Sequence, residues 1–141
     1  MIKYQAKIFK DDDSYSVIFP DLPGCFSMGD TLEHAKEMAK ESLTLYLEEA
    51  RDPKWKIPKA KNRKSKGYYW IAPDISVTIP LIIRHARLEC GLSQSQMARK
   101  LSITTQQLQK LETPGKSNPT IKTLEKISTT LGLELEIDIA A

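Results

Sequence analysis

Cysteine, histidine and long apolar runs are all scarce in this chain, and each scarcity excludes something. The two cysteines, Cys25 and Cys90, lie far apart and neither belongs to a CxxC pair. They read as small packing residues, not as a disulfide framework or a redox centre. The two histidines, His34 and His85, add no metal-ligand spacing to them, so neither a metal nor another cofactor is expected. No apolar stretch approaches the roughly 18–20 residues a membrane helix requires. The first residues lack a basic-then-apolar leader pattern, because Asp11, Asp12 and Asp13 follow almost at once. A cytoplasmic protein without a membrane partner is the expectation.

The charge is unevenly placed. Residues 1–50 carry 5 lysines and 10 acidic residues, a net of −5, whereas residues 51–66 carry 8 basic residues against Asp52, a net of +7. Residues 80–141 are mildly basic at +2. An acidic first unit, a basic connector and a mildly basic last unit suggest two functions on one chain.

The elements follow from periodicity. Lys3–Phe9 and Tyr15–Phe19 alternate around the turn signal Asp11-Asp12-Asp13-Ser14, which predicts an antiparallel hairpin. Pro20-Asp21-Leu22-Pro23-Gly24 ends it, and Cys25–Met28 suits a short third strand. Thr31 caps a helix in which Ala35, Met38/Ala39, Leu43, Tyr46 and Ala50 would face the sheet, ending near Asp52-Pro53. Residues 54–67 are lysine-rich and read as a mobile connector. Tyr68–Ile71 has the aromatic content of a strand that would complete the sheet. Ile75–Ile79 alternates, as a further strand or an extended linker, and Pro80 would open a second domain. The expected division is 1–79 and 80–141.

In the second part, Leu81–Cys90 predicts a helix stopped by Gly91. Ser93 and Thr104 are N-cap residues for helices over Gln94–Leu101 and Thr105–Glu112. A further helix, Ile121–Leu131, carries Ile121, Leu124, Ile127 and Leu131 on one face and has Gly132 as its C-terminal cap. Leu133–Ile139 alternates strictly and predicts a strand. Because a lone strand leaves its backbone unpaired, the same strand of a second copy is the expected partner.

Two short helices joined by a tight turn, the second exposing glutamine, threonine and lysine, are what major-groove reading requires. Thr105, Gln106, Gln109 and Lys110 are left outward. Gln94, Lys116 and Asn118 suit phosphate contacts. The run Leu92-Ser93-Gln94…Met97-Ala98…Leu101…Thr104…Leu108…Leu111-Glu112, with Asn118-Pro119-Thr120 and Leu131-Gly132 after it, resembles the phage-repressor-like (Xre-type) helix-turn-helix family. That resemblance implies that Thr105, Gln106 and Lys110 face bases, with Thr104 beside them, and that Arg87 and Glu112 form the family's internal ion pair. One departure is Ser102, where the turn usually holds glycine. A left-handed serine costs on the order of 1 kcal/mol.

The first part also carries a dense pattern: Tyr15-x-Val17-x-Phe19-Pro20-Asp21-Leu22-Pro23-Gly24-Cys25-x-Ser27-x-Gly29-Asp30-Thr31-x-Glu33-x-Ala35. It resembles the HicB antitoxin signature. The resemblance implies an α+β chain: a β-β-β-α-β, partial RNase H-like domain, then an all-α helix-turn-helix domain, to which the alternation of 133–139 adds a dimerising C-terminal strand. It further implies a HicA-type partner, a small basic ribonuclease with a catalytic histidine; paired modules of a homodimer would read a palindromic operator, as two-fold symmetry requires. No catalytic role is expected of this chain. Complementary charge agrees, since a −5 domain suits a basic partner. Which acidic residues would touch the toxin is not legible; Glu37, Glu41 and Glu48 fit a solvated helix face. Two alternative readings remain open. One is a stand-alone transcriptional regulator with a sensing or oligomerising first domain. The other is a Mg²⁺-dependent nuclease using Asp11–Asp13, which consecutive, diverging turn carboxylates disfavour.

Overall fold

The computed structural model describes residues 1–139. It is an α+β structure in which strand alternation builds one sheet early and helices follow. Strands β1 (Tyr4–Asp11), β2 (Ser14–Ile18), β3 (Phe26–Gly29) and β4 (Tyr68–Ile71) form an antiparallel sheet in the order β3-β2-β1-β4. Asp12, at φ 53°, turns the β1–β2 hairpin, which aligns Ile8 with Val17. Tyr4, Ala6, Ile8 and Val17 point to one face and are buried there.

Helix α1 (Leu32–Glu48) covers that face. Thr31 caps it by accepting the His34 N–H at 3.1 Å, and Ala35, Ala39, Leu43 and Leu47 form its buried stripe. Leu47 takes the place expected for Tyr46, which is only half-buried. Alanine and glycine let helix and sheet close up. A Cβ on Gly29 of β3 would lie 2.4 Å from the Ala35 nitrogen, so no larger residue fits without shifting backbone.

The lysine-rich stretch is not the free connector expected. The Gln5 side chain donates to the Arg63 carbonyl at 3.0 Å and accepts its N–H, and the Tyr4 hydroxyl donates to the Pro58 carbonyl at 2.7 Å. Arg63 pairs with Asp21 through two bonds. Trp55, Ile57 and Ala60 pack on the core. These scattered apolar anchors and one arginine hold the backbone down while most lysines remain in solvent.

Ile75–Ile79 is neither strand nor linker. It is the first part of α2 (Ile75–Glu89), and Pro80 sits inside that helix instead of opening it. Asp74 caps the helix by accepting the Ser76 N–H at 3.0 Å. A helix buried on two sides loses the single apolar stripe that signals a helix, which is why this segment resembled a strand. Val77 and Leu81 enter the sheet-side core, while Ile79 and Ile83 enter a second core. Two residues apart on a helix is about 200° of rotation, so the two cores share opposite faces of α2. Pro80 has no N–H to give the Ser76 carbonyl, and the Gly115 N–H donates to that carbonyl instead, at 3.0 Å.

The second core gathers Ile83, Met97, Ala98, Leu101, Leu108 and Ile127 from α2, α3 (Gln94–Leu101), α4 (Thr105–Leu111) and α5 (Ile121–Leu131). Ile121, expected on the inner face of α5, is exposed. Gly132 caps α5 in the left-handed region at φ 68°. The expected strand Leu133–Ile139 is absent: residues 133–139 hold no regular structure, and Leu133, Leu135, Ile137 and Ile139 lie exposed. Among the described residues this segment has no neighbouring strand to complete its backbone bonds. Ala140 and Ala141 of the expected 80–141 unit lie outside the described residues.

Candidate nucleic-acid interface

The helix pair α3–α4 is held by reciprocal caps. The Ser93 hydroxyl accepts the Gln96 N–H at 3.1 Å while the Gln96 side chain accepts the Ser93 N–H at 2.8 Å. Thr104 and Gln107 repeat the arrangement at 3.0 and 2.9 Å. Each box satisfies two otherwise unpaired N–H groups, so both helices start at fixed residues. Between them Ser102 adopts φ 57°, ψ 40°, the left-handed conformation its place in the turn requires.

Met97, Ala98, Leu101 and Leu108 are buried beneath the pair. Thr104, Gln106, Gln109 and Lys110 are exposed and Thr105 is half-buried. All five lie at or within α4, so a single helix presents them. The Thr104 oxygen already serves as the cap acceptor. Lys116 and Asn118 are exposed on the loop between α4 and α5.

Beneath this surface lies a buried polar network. Arg87 and Glu112, 3% and 1% exposed, meet at 2.6 Å through Nε–Oε1 and at 3.0 Å through Nη2–Oε2. The remaining donors of Arg87 reach the Leu92 carbonyl at 2.9 Å and the Pro53 carbonyl at 2.8 Å. Arg84 lies beside it and donates to the Ala50 and Glu112 carbonyls at 2.6 and 3.0 Å. Burial pulls the Arg84 guanidinium below its ordinary pKa, partly offset by Glu112. Gln94, expected to contact phosphate, commits one of its two Nε2 hydrogens and its oxygen to the network, which leaves one hydrogen for a ligand. It donates to Glu112 at 2.9 Å and accepts from Gln109 at 3.4 Å. The network thus runs from the end of α1 to the outer face of α4. The family resemblance implied the Arg87–Glu112 pair but gave no role to Arg84. Its signal was an arginine one turn before Arg87 on a helix with two buried faces.

The carboxylates of the β1–β2 turn do something simpler. Asp11 accepts the Ser16 hydroxyl at 3.3 Å, and Asp11, Asp12 and Asp13 are all exposed. Cys25 is buried with its thiol directed at the Ser42 carbonyl, and burial raises its pKa.

Residues 4–99 match the HicB-like antitoxins of bacterial toxin-antitoxin systems. The chain belongs to this family. A helix-turn-helix family matches residues 83–137, so the two matches overlap on α2 and α3. Antitoxin HicB 2 of Photorhabdus laumondii subsp. laumondii is 27% identical over 140 residues, spanning 96% of this chain and 95% of that protein. Antitoxin HicB 1 of the same organism is 27% identical over 129 residues, 92% of this chain and 81% of its own length. A chain from a solved HicA3 and HicB3 toxin-antitoxin complex aligns with a TM-score of 0.41 and 24% identity, over 52% of this chain and 99% of that one. The HicB-like chain described here is thus an antitoxin-family protein whose second half matches a helix-turn-helix.

Proposed function

We propose that this HicB-like chain neutralises a HicA-type ribonuclease and represses its own operon by binding operator DNA. It acts by binding, not by catalysis, in the cytoplasm. The observation that carries the reading is that the antitoxin-family match and the helix-turn-helix match lie on one chain and overlap at residues 83–99, the end of α2 and most of α3. Residues 1–79 serve the toxin and residues 80–141 serve DNA, with α2 common to both. The acidic first 50 residues favour a basic partner.

On DNA, Thr105, Gln106 and Lys110 face base edges from α4, with Thr104 and Gln109 beside them. Gln94, Lys116 and Asn118 hold phosphates. A homodimer reads a palindrome because two-fold protein symmetry demands a two-fold site. The exposed, alternating segment 133–139 supplies the dimer contact by pairing with its copy. Two measurements test this. Mixing the protein with the ribonuclease encoded beside it should yield a stable complex and stop RNA cleavage. The dimer should shift a duplex from its own promoter. Promoter binding with no toxin complex would leave a stand-alone regulator in its place.

A further inference from the structure

The lysine-rich stretch begins where the buried network ends. The Arg87 guanidinium that holds the Pro53 carbonyl at 2.8 Å also holds, at 2.9 Å, the carbonyl of Leu92, the residue before the α3 cap. From there Glu112, Gln94 and Gln109 continue the hydrogen-bonded chain to the outer face of α4 at 2.9 and 3.4 Å. The start of the basic stretch is therefore fixed beside the N-terminus of α3, the end at which Gln94 is proposed to meet phosphate.

The local turn aims the charges outward. The Asp52 carboxylate accepts the Lys54 N–H at 2.9 Å and its carbonyl accepts the Trp55 N–H at 3.0 Å. Trp55 packs inward on the sheet-side core. Lys54 and Lys56, on either side of it, are exposed and make no ion pair among the described residues. Arg63, farther along, is instead neutralised by Asp21. The acids nearest in sequence are Glu49 and Asp52, and Asp52 is committed to the turn.

We propose that Lys54 and Lys56 form a second arm of the DNA interface, gripping the sugar-phosphate backbone just outside the segment that α4 reads. This deepens the DNA-binding reading above and rests on it. Two ammonium groups carried on a pinned turn, without carboxylate partners, suit phosphates as point charges.

The test uses the full chain and fluorescence anisotropy on two labelled duplexes, one from its own promoter and one scrambled, over a salt series. Lys54→Gln with Lys56→Gln should weaken both duplexes about tenfold at low salt and make the log–log salt slope shallower by roughly 2, since each lost phosphate contact removes about 0.9. The ratio between the two duplexes should not change. Lys64→Gln with Lys66→Gln removes the same charge from the far end of the stretch and should leave the slope intact. An unchanged slope in the first pair, or an equal loss in both pairs, would overturn the arm. Failure of the unmodified chain to bind either duplex would overturn the DNA-binding reading itself, a distinct result.

Discussion

Asp21 and Arg63, 42 residues apart, meet in a two-point ion pair, Nη2–Oδ1 at 2.7 Å and Nη1–Oδ2 at 3.0 Å. The Arg63 hydrogen bonds, helped by the Lys61 N–H, hold the Asp21 carboxyl below the usual carboxylate range against the opposing effect of burial. A depressed folded-state pKa means that the stabilisation is complete above about pH 4, the unfolded value. It is lost as pH falls through the folded value. Asp21→Asn should therefore lower the melting temperature at pH 7, and its gap from the parent should narrow below pH 4. A gap of the same size at pH 7 and pH 3 would refute the assignment.

Glu112 receives Arg87 and Gln94 in a site with almost no solvent. Glu112→Ala should cost about 3–5 kcal/mol, because it leaves a buried guanidinium without its carboxylate. Replacing both members, Arg87→Met with Glu112→Leu, should cost clearly less than the single change. Urea denaturation of the parent and the two variants decides this, and a double variant no better than Glu112→Ala would count against it.

Ser102 sits at φ 57° with an exposed side chain. Ser102→Gly should raise stability by roughly 0.5–1 kcal/mol, as relief of the left-handed strain outweighs the entropy of glycine. Ser102→Val should do the reverse. Operator affinity of the glycine variant should match the parent, and a stability loss in that variant would contradict the turn's description.

Base reading and backbone anchoring should separate by substitution. Gln106→Ala should cost about 1–3 kcal/mol on the operator and little on scrambled DNA, relaxing the preference at one base pair. Lys116→Ala should weaken both equally and flatten the salt dependence. Anisotropy titrations on the two duplexes measure both, and an equal loss on both duplexes for Gln106→Ala would remove it from the base-reading set.

Local signals carried most of the fold. The hairpin around Asp12, the Thr31 cap, and the limits of α3 and α5 were legible because each depends on a few adjacent residues and a clear apolar period. What failed depended on long-range contact. Ile75–Ile79 looked like a strand because both faces of α2 are buried, which erases the helical stripe. The 54–67 stretch looked free because its anchors, Gln5 and Asp21, lie far away in sequence. The 133–139 strand was inferred from an alternation that no neighbour within the chain completes. On α4, the exposure of Gln106, Gln109 and Lys110 followed from spacing. The bond of Gln94 to Glu112 and the place of Arg84 did not, because hydrogen-bond partners are chosen in three dimensions.

The single helix that feeds both cores has a geometric consequence. With no slack between them, α2 acts as a ruler graduated in steps of about 1.5 Å and 100° per residue. Adding or deleting one residue near Ile82 would swing the outer face of α4 by more than a quarter turn about the α2 axis relative to the sheet. Chains sharing this architecture are thus constrained in the length of α2 as firmly as in its side chains.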